Sequence, residues 1–421
     1  MANFLTLDRE EILSAQLKVV GVGGGGCNAI ESMMLKGLKG VEYVAVNTDA
    51  QVLKMSSANY KIQIGTNITR GLGAGADPNV GRKAIEEDRE KITKILEGSD
   101  MVFVTAGMGG GTGTGGAPVV AAIAKSLGAL VIGIVTKPFK WEGKRRMLNA
   151  EEGIHDLRRS VDSLIVIPND RLLSILDATV SARTAFEKPN EVLHDATRGI
   201  ADIITIPGII NVDFADVRSV MNSSGEAMMG SGTASGENRA IEAAQKAISS
   251  PLLDGISIKG AKNILLNVTG SDDLTMQEID EGNKVIYEAA GEEANVIFGW
   301  VSKEEMNDSV SYTVIATGFG DSHKTESKFV AEKKEIKKEK EDKFAGYTVE
   351  NFDIPAAQEE LDTPTIFRVK GTNKILPEEK NVPRSGFKIE QLDAFETVKA
   401  EENKDDKRER GGSSFLRMMM D

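Results

Sequence analysis

Apolar residues in the first half of the chain fall in short, nearly continuous runs separated by amphipathic stretches. LKVVGV (Leu17 to Val22), VEYVAVN (Val41 to Asn47), MVFVTAG (Met101 to Gly107), LVIGIVT (Leu130 to Thr136) and SLIVIPN (Ser163 to Asn169) read as buried strands. GRKAIEEDREKITKILEG and GAPVVAAIAKSLG, lying between them, carry helical spacing. This alternation predicts a parallel sheet covered on both faces. A longer helical stretch runs from Ala182 to Thr205. Because Pro189 lies inside it, its regular part is expected to begin near that residue. From about Gly225 to Gly320 the pattern changes. NILLNVTG, NVIFGWVS and VSYTVIATGF are predicted strands, with helices over Asn238 to Ile248 and Met276 to Ala290. The predicted fold is α/β: a Rossmann-like parallel-sheet domain, a long central helix, a second smaller α/β domain and a disordered C-terminal tail.

After Gly320 the periodic hydrophobicity stops. KKEIKKEKEDK is a charge run, expected in a solvated linker. LDTPTIFRV (Leu361 to Val369) is an apolar island of the kind that folds onto a partner, and KRERGGSSFLRMMMD at the end is a weaker candidate for a second one.

With 421 residues and 40% hydrophobic content, the chain can build two ordinary domains plus tails. A net charge of −13 argues against nucleic acid as the main partner. The single cysteine, Cys27, excludes an intrachain disulfide and fits a reducing compartment. The start, MANFLTLDREEIL, lacks the basic and apolar regions of a signal peptide, and no apolar run approaches the length of a membrane span. These features lead us to expect a soluble cytoplasmic protein without direct membrane insertion. The three histidines, His155, His194 and His323, are scattered and do not make a zinc pattern.

Candidate chemistry enters with glycine. GVGGGGCNAI (Gly21 to Ile30), TRGLGAGADPNVGRK (Thr69 to Lys83) and TAGMGGGTGTGGAP (Thr105 to Pro118) lie where strand ends should meet helix starts. In an open parallel sheet, ligands bind beyond the carboxyl ends of the strands. Glycines there let backbone N–H groups approach an anion, and a helix N-terminus adds unpaired donors. Three such segments on one edge would wrap a polyphosphate. The first satisfies G-x-G-x-x-G with Gly21, Gly23 and Gly26, and Asp49 follows about twenty residues later, as in dinucleotide sites. That pattern leaves the other two segments unexplained. A nucleoside triphosphate is the alternative, but no Walker G-x-x-x-x-G-K-[ST] is present; Thr112 and Thr114 bring hydroxyls to the third segment instead. NKDD at Asn403 matches a guanine-reading tetrapeptide but lies in the charged tail and follows no strand.

GGGTGTGGAPVVA resembles the signature of the tubulin superfamily. With GVGGGGCNAI, AVNTDAQVL, GLGAGADPNVGRKA, KPFKWEGKRR and NVDFADVRSVM in order around it, residues 12 to 320 resemble the FtsZ family, the cell-division GTPases that polymerise into the bacterial division ring. The resemblance implies a GTPase using GTP and GDP, with Mg2+ held mainly by phosphates and water. It places Gly23, Gly24, Gly25 and the run Gly109, Gly110, Gly111, Thr112, Gly113, Thr114 and Gly115 at the phosphates. Ala74 and Gly75 would approach the γ-phosphate, with Asn47 and Asp49 near it and the metal-bound water. Glu142 and Arg146 would hold the ribose and phosphate side, while Asn28, Phe186 and Asn190 would recognise guanine. An amide suits that task because it offers both a donor and an acceptor.

In NVDFADV, a helix starting near Val212 would put Asp213 and Asp216 on one face. Read alone, they are carboxylates favoured by a helix N-terminus. The family resemblance assigns this segment, with Asn211, to the bottom of one subunit, where it completes the nucleotide site of the next. It also implies head-to-tail filaments, a cytoplasmic location at the mid-cell ring, and binding of membrane-tethering and regulatory division proteins through residues 361–369. The expected organisation is a tail over 1–12, a GTPase domain over 13–181, a central helix over 182–210 and a C-terminal domain over 211–320. A linker over 321–360, the 361–369 motif and an extra tail over 370–421 complete it. That extra tail departs from the family pattern, in which the motif sits close to the end. Two other readings stay open on residues alone: a nicotinamide-dependent oxidoreductase, and a nucleotide-binding scaffold without hydrolysis. Cys27 stands where small or polar residues are common in the family, and is expected to be buried against its loop.

Overall fold

Ten strands form one twisted sheet with the order β3-β2-β1-β4-β5-β6-β7-β10-β8-β9. In chain order they are β1 (Leu17–Val22), β2 (Glu42–Asn47), β3 (Tyr60–Gln63), β4 (Met101–Gly107), β5 (Leu130–Lys137), β6 (Ser163–Pro168), β7 (Gly225–Ser235), β8 (Asn263–Gly270), β9 (Asn295–Ser302) and β10 (Ser309–Thr317). The computed structural model describes residues 15–319 apart from 174, 175, 177, 178, 207–209, 211, 251, 252, 254–257 and 292. The expectations for residues 1–12, the charged linker, the 361–369 motif, the 370–421 tail and Asn403 lie outside the described residues.

β1 to β6 are mutually parallel. β7 joins β6 in parallel over Gly225 to Ala227 and then pairs antiparallel with β10. The helices are α1 (Gly23–Leu35), α2 (Ala50–Met55), α3 (Thr66–Thr69), α4 (Pro78–Glu87), α5 (Arg89–Leu96), α6 (Thr112–Ser126), α7 (Lys144–Arg158), α8 (Asn169–Leu173), α9 (Ala182–Thr205), α10 (Phe214–Met221), α11 (Arg239–Ile248) and α12 (Met276–Ala290). One apolar cluster, including Val20, Val104, Val120 and Leu164, lies among the strands, α4, α5, α6 and α7. A second joins Ile30, Phe103 and Ile132 to Leu193 and Ile200 of α9 and to Val217 of α10. The strands between these clusters are buried on both faces, which is why they read as continuous apolar runs.

All five strands expected in the first half are present, and the structure adds two that the pattern missed. β3 is a four-residue edge. β7 is built from GEAMMGSGTAS, poor in β-branched residues because α11 lies against it. A Cβ at Gly230 would stand 2.1 Å from the Ala247 carbonyl oxygen, so small residues are what the contact admits.

Two helical expectations are corrected. α9 does not begin near Pro189 but at Ala182, where the Ser181 hydroxyl accepts the Thr184 N–H (3.2 Å). The proline lies inside the helix, buried, and removes one N–H without ending it. The 81–98 pattern is two helices, broken at Asp88, whose carboxylate accepts the Gly65 N–H (2.8 Å). Among the described residues no helix is long and apolar enough to cross a membrane.

Candidate nucleotide site

At the carboxyl ends of the parallel strands, two helices start without any side-chain cap. α1 follows β1 directly, so that GGGGC, read as a loop, is its first turn; α6 begins at Thr112 behind Gly111. Their first backbone N–H groups have no intrahelical acceptor and are left for an anion. Side chains fill this role at several other helices, as Asp49, Asp77, Asp213 and Thr275 do for α2, α4, α10 and α12, while α3, α5, α7 and α11 also start without one.

The glycines bring these two helix starts together. Gly23 has φ +74°, and a Cβ there would lie 2.7 Å from the backbone nitrogen of Gly113. At Gly111 a Cβ would lie 2.7 Å from Ala74 Cβ and 2.9 Å from the Asp77 nitrogen. All three glycine-rich segments therefore meet backbone to backbone. The two signature threonines are turned inward. Thr114 Oγ1 accepts the Gly109 N–H (2.8 Å), and the Thr112 hydroxyl bonds that of Thr48 (2.7 Å). They shape the loop and leave its open surface to backbone groups.

Beside these helix starts opens a cavity. Gly24, Gly25, Gly110, Gly113, Glu142, Arg146, Phe186 and Asn190 line it. Arg146, in the first turn of α7, pairs with Glu142 (3.0 Å) in the turn just before that helix, so neither charge is isolated. Phe186 presents its ring from the second turn of α9, against Phe139 and Trp141. Gly23, Gly109, Gly111, Thr112, Thr114 and Gly115 frame the glycine loops behind this surface. Asn28 is half-buried, with its amide nitrogen buried and without a partner.

Thr136, Pro138 and Asn169 also line the cavity and were not singled out from sequence. Asn169 is 9% exposed and its Oδ1 is buried without a partner, so it is an acceptor waiting for a donor. The signal was available: Thr136 and Asn169 stand at the carboxyl ends of β5 and β6, where a parallel sheet puts its ligand.

Asn47 and Asp49 lie next to the glycine loops rather than in the cavity lining. Asn47 Oδ1 accepts the Asp49 N–H (3.1 Å), and Asp49 caps α2 through the Gln51 N–H (2.7 Å). Asp49 is bridged to Leu72, which ties this turn to the second glycine segment near Ala74 and Gly75. Cys27 packs beneath, accepting from the Asn47 amide (3.8 Å). Burial pushes its thiol up to about 12, so it stays protonated at neutral pH and serves packing.

Asp213 and Asp216 are exposed and belong to a different place. The helix here begins at Phe214 rather than Val212, with Asp213 as its cap accepting the Asp216 N–H (2.8 Å). Arg218 of the same helix donates to the Gly128 carbonyl (3.0 Å), just before β5 begins. α10 therefore sits at the amino ends of the parallel strands, opposite the cavity. Asn211 lies outside the described residues.

A model of the Tubulin/FtsZ family, GTPase domain, matches residues 16–177, and one of the FtsZ family, C-terminal domain, matches residues 225–320. An empty FtsZ dimer from M. jannaschii is 45% identical with a TM-score of 0.69, the match covering 72% of this chain and 88% of that one. A mutant FtsZ from M. jannaschii gives 45% and 0.70, covering 73% and 92%. The GDP-bound monomer of CetZ1 from Haloferax volcanii gives 25% and 0.64, covering 73% and 95%. With its uncapped helix starts, its glycine cradle and these matches across both halves, the chain belongs to the FtsZ family of tubulin-like GTPases.

Proposed function

We propose that this protein hydrolyses GTP only where two copies meet head to tail, and that the resulting filaments build the bacterial division ring. The observation that carries the reading is the position of the carboxylates. α9 lines the cavity from Phe186 to Leu193, and its remaining twelve residues to Thr205 run about 18 Å further before α10 is reached at the amino ends of the strands. Asp213 and Asp216 therefore cannot serve the cavity of their own chain. In a head-to-tail stack they would face the cavity of the next copy, and such a contact does not close on itself, so it propagates.

In this reading Gly23, Gly24, Gly25 and Gly109 to Gly115 direct backbone donors at the phosphates. Ala74 and Gly75 close over the γ-phosphate. Glu142 and Arg146 hold the ribose side. Asn28, Asn169 and Asn190 bond the guanine edge while Phe186 stacks on its face. Among the described residues no group of three His, Cys, Asp or Glu could cage a metal. Mg2+ would be carried mainly by phosphates and water, with Asn47 and Asp49 near that water. When bound, the ion neutralises charge on the phosphate oxygens. The neighbour's Asp213 and Asp216 orient and polarise the attacking water, with Asn211 beside them.

Phosphate release measured against protein concentration, with light scattering in the same cuvette, tests this. A threshold below which both vanish is expected. Turnover proportional to concentration, without scattering, would make the monomer self-sufficient and end the shared-site reading. Scattering with negligible phosphate release would identify a scaffold without hydrolysis.

Residues 361–369 are proposed to bind membrane-tethering and regulatory division proteins, keeping the filament cytoplasmic at mid-cell. Deleting them should leave GTP turnover intact and abolish tether binding. Undiminished binding after the deletion would shift the assignment to the last residues, around Phe415 and Leu416.

A further inference from the structure

Trp141 is 65% exposed and does not line the cavity. A single exposed apolar side chain is ordinary; its geometry is the informative part. Its ring stacks on Phe139 with centroids 5.5 Å apart and planes at 14°. It meets Phe186 nearly at right angles, 5.8 Å away. Phe139 also meets Phe186 at right angles, 5.7 Å away. The 139–142 turn that carries the first two rings is held firmly. The Phe139 N–H donates to Glu142 Oε1 (2.7 Å), the Lys140 N–H donates to Asp170 Oδ1 (3.1 Å), and Phe139 itself is 2% exposed.

Phe186 lacks that support from its own helix. The residues before it in α9, from Ala182 to Thr184, are exposed. A helical aromatic side chain has two accessible χ1 wells, and a ring near a helix start has little neighbouring helix to choose between them. Here the choice is made from outside, by two rings of the 139–142 turn.

We infer that Trp141 is a positioning residue for purine binding: with Phe139 it fixes the plane of the Phe186 ring, and so the surface on which the base stacks. This rests on the nucleotide reading above. Trp141 meets Phe186 from outside the cavity lining, so its effect is expected on the base and not on the phosphates.

The test compares GDP with ribose 5-diphosphate, which has the sugar and phosphates but no base. Affinities are measured by calorimetry for the parent, Trp141→Ala and Trp141→Phe. GDP leaves the shared-site question aside because binding alone is read. Trp141→Ala should weaken GDP on the order of 5-fold, the worth of a lost aromatic pair. Ribose 5-diphosphate should be unaffected, and Trp141→Phe should restore the ratio. Equal weakening of both ligands, or no weakening of GDP, would overturn the inference. Failure of the parent to bind GDP would instead remove the nucleotide reading, and the inference with it.

Discussion

Asp213→Ala protein is expected to bind GDP as tightly as the parent and to lose at least about 100-fold in GTP turnover. The carboxylate is exposed, at the amino-end side of the sheet, and touches nothing in its own cavity. Its one visible local task is to cap α10, and losing a cap costs about 1 kcal/mol. Asp213→Asn separates the two roles, because asparagine caps as well as aspartate but carries no charge. It should be as stable as the parent and as inactive as the alanine variant. A complementation experiment then assigns the carboxylate to the neighbour. Gly109→Ser should empty the cavity while keeping Asp213 intact. At Gly109 φ is +106°, and a Cβ would lie 2.8 Å from the Arg146 carbonyl oxygen. Mixed with Asp213→Ala, it supplies the missing carboxylates to intact cavities, so turnover should reappear. Parent-level turnover of either Asp213 variant would defeat the shared-site mechanism.

Gly23→Ala is expected to lower GDP affinity by at least about 100-fold with the fold retained. Alanine in the left-handed region costs about 1–2 kcal/mol. At this position the methyl would also press on the Gly113 backbone, 2.7 Å from its nitrogen, which cannot rotate away as a side chain could. The two helix starts would have to separate, spreading the donors that converge on the phosphates. Gly37→Ala is the control. It has nearly the same left-handed φ, +73°, but open space around the added methyl. Its affinity for GDP should match the parent's. Calorimetric titration of both variants decides the point: equal losses would trace the effect to backbone strain alone, not to the meeting of the two loops.

Much of the scaffold could be read from residue patterns. The buried parallel strands were visible because burial on both faces leaves an unbroken apolar run. β7 was not, since its close approach to α11 replaces apolar bulk by glycine, serine and alanine. Pro189 misled in the opposite direction. The capping Ser181 and the aromatic contacts of Phe186 hold the first turns of α9 despite the missing N–H. The paired roles of Thr112 and Thr114 were equally hidden. A hydroxyl beside a glycine run can face a ligand or the loop itself, and only the positions of Thr48 and the Gly109 N–H decide which.

The glycine segments and their order along the chain were determined locally. A backbone that must approach another backbone, or an anion, cannot carry a Cβ, and that demand is written residue by residue. Asn169 and Thr136 entered the cavity because β6 and β5 end beside it, which follows from strand order. Phe186 gained its orientation from Phe139 and Trp141, far away in the chain. The separation of Asp213 from its own cavity came from the length of α9 and the anchoring of α10 at the opposite end of the sheet. These are long-range consequences of packing: a residue's neighbours across a sheet depend on topology, and topology is a property of the folded chain as a whole.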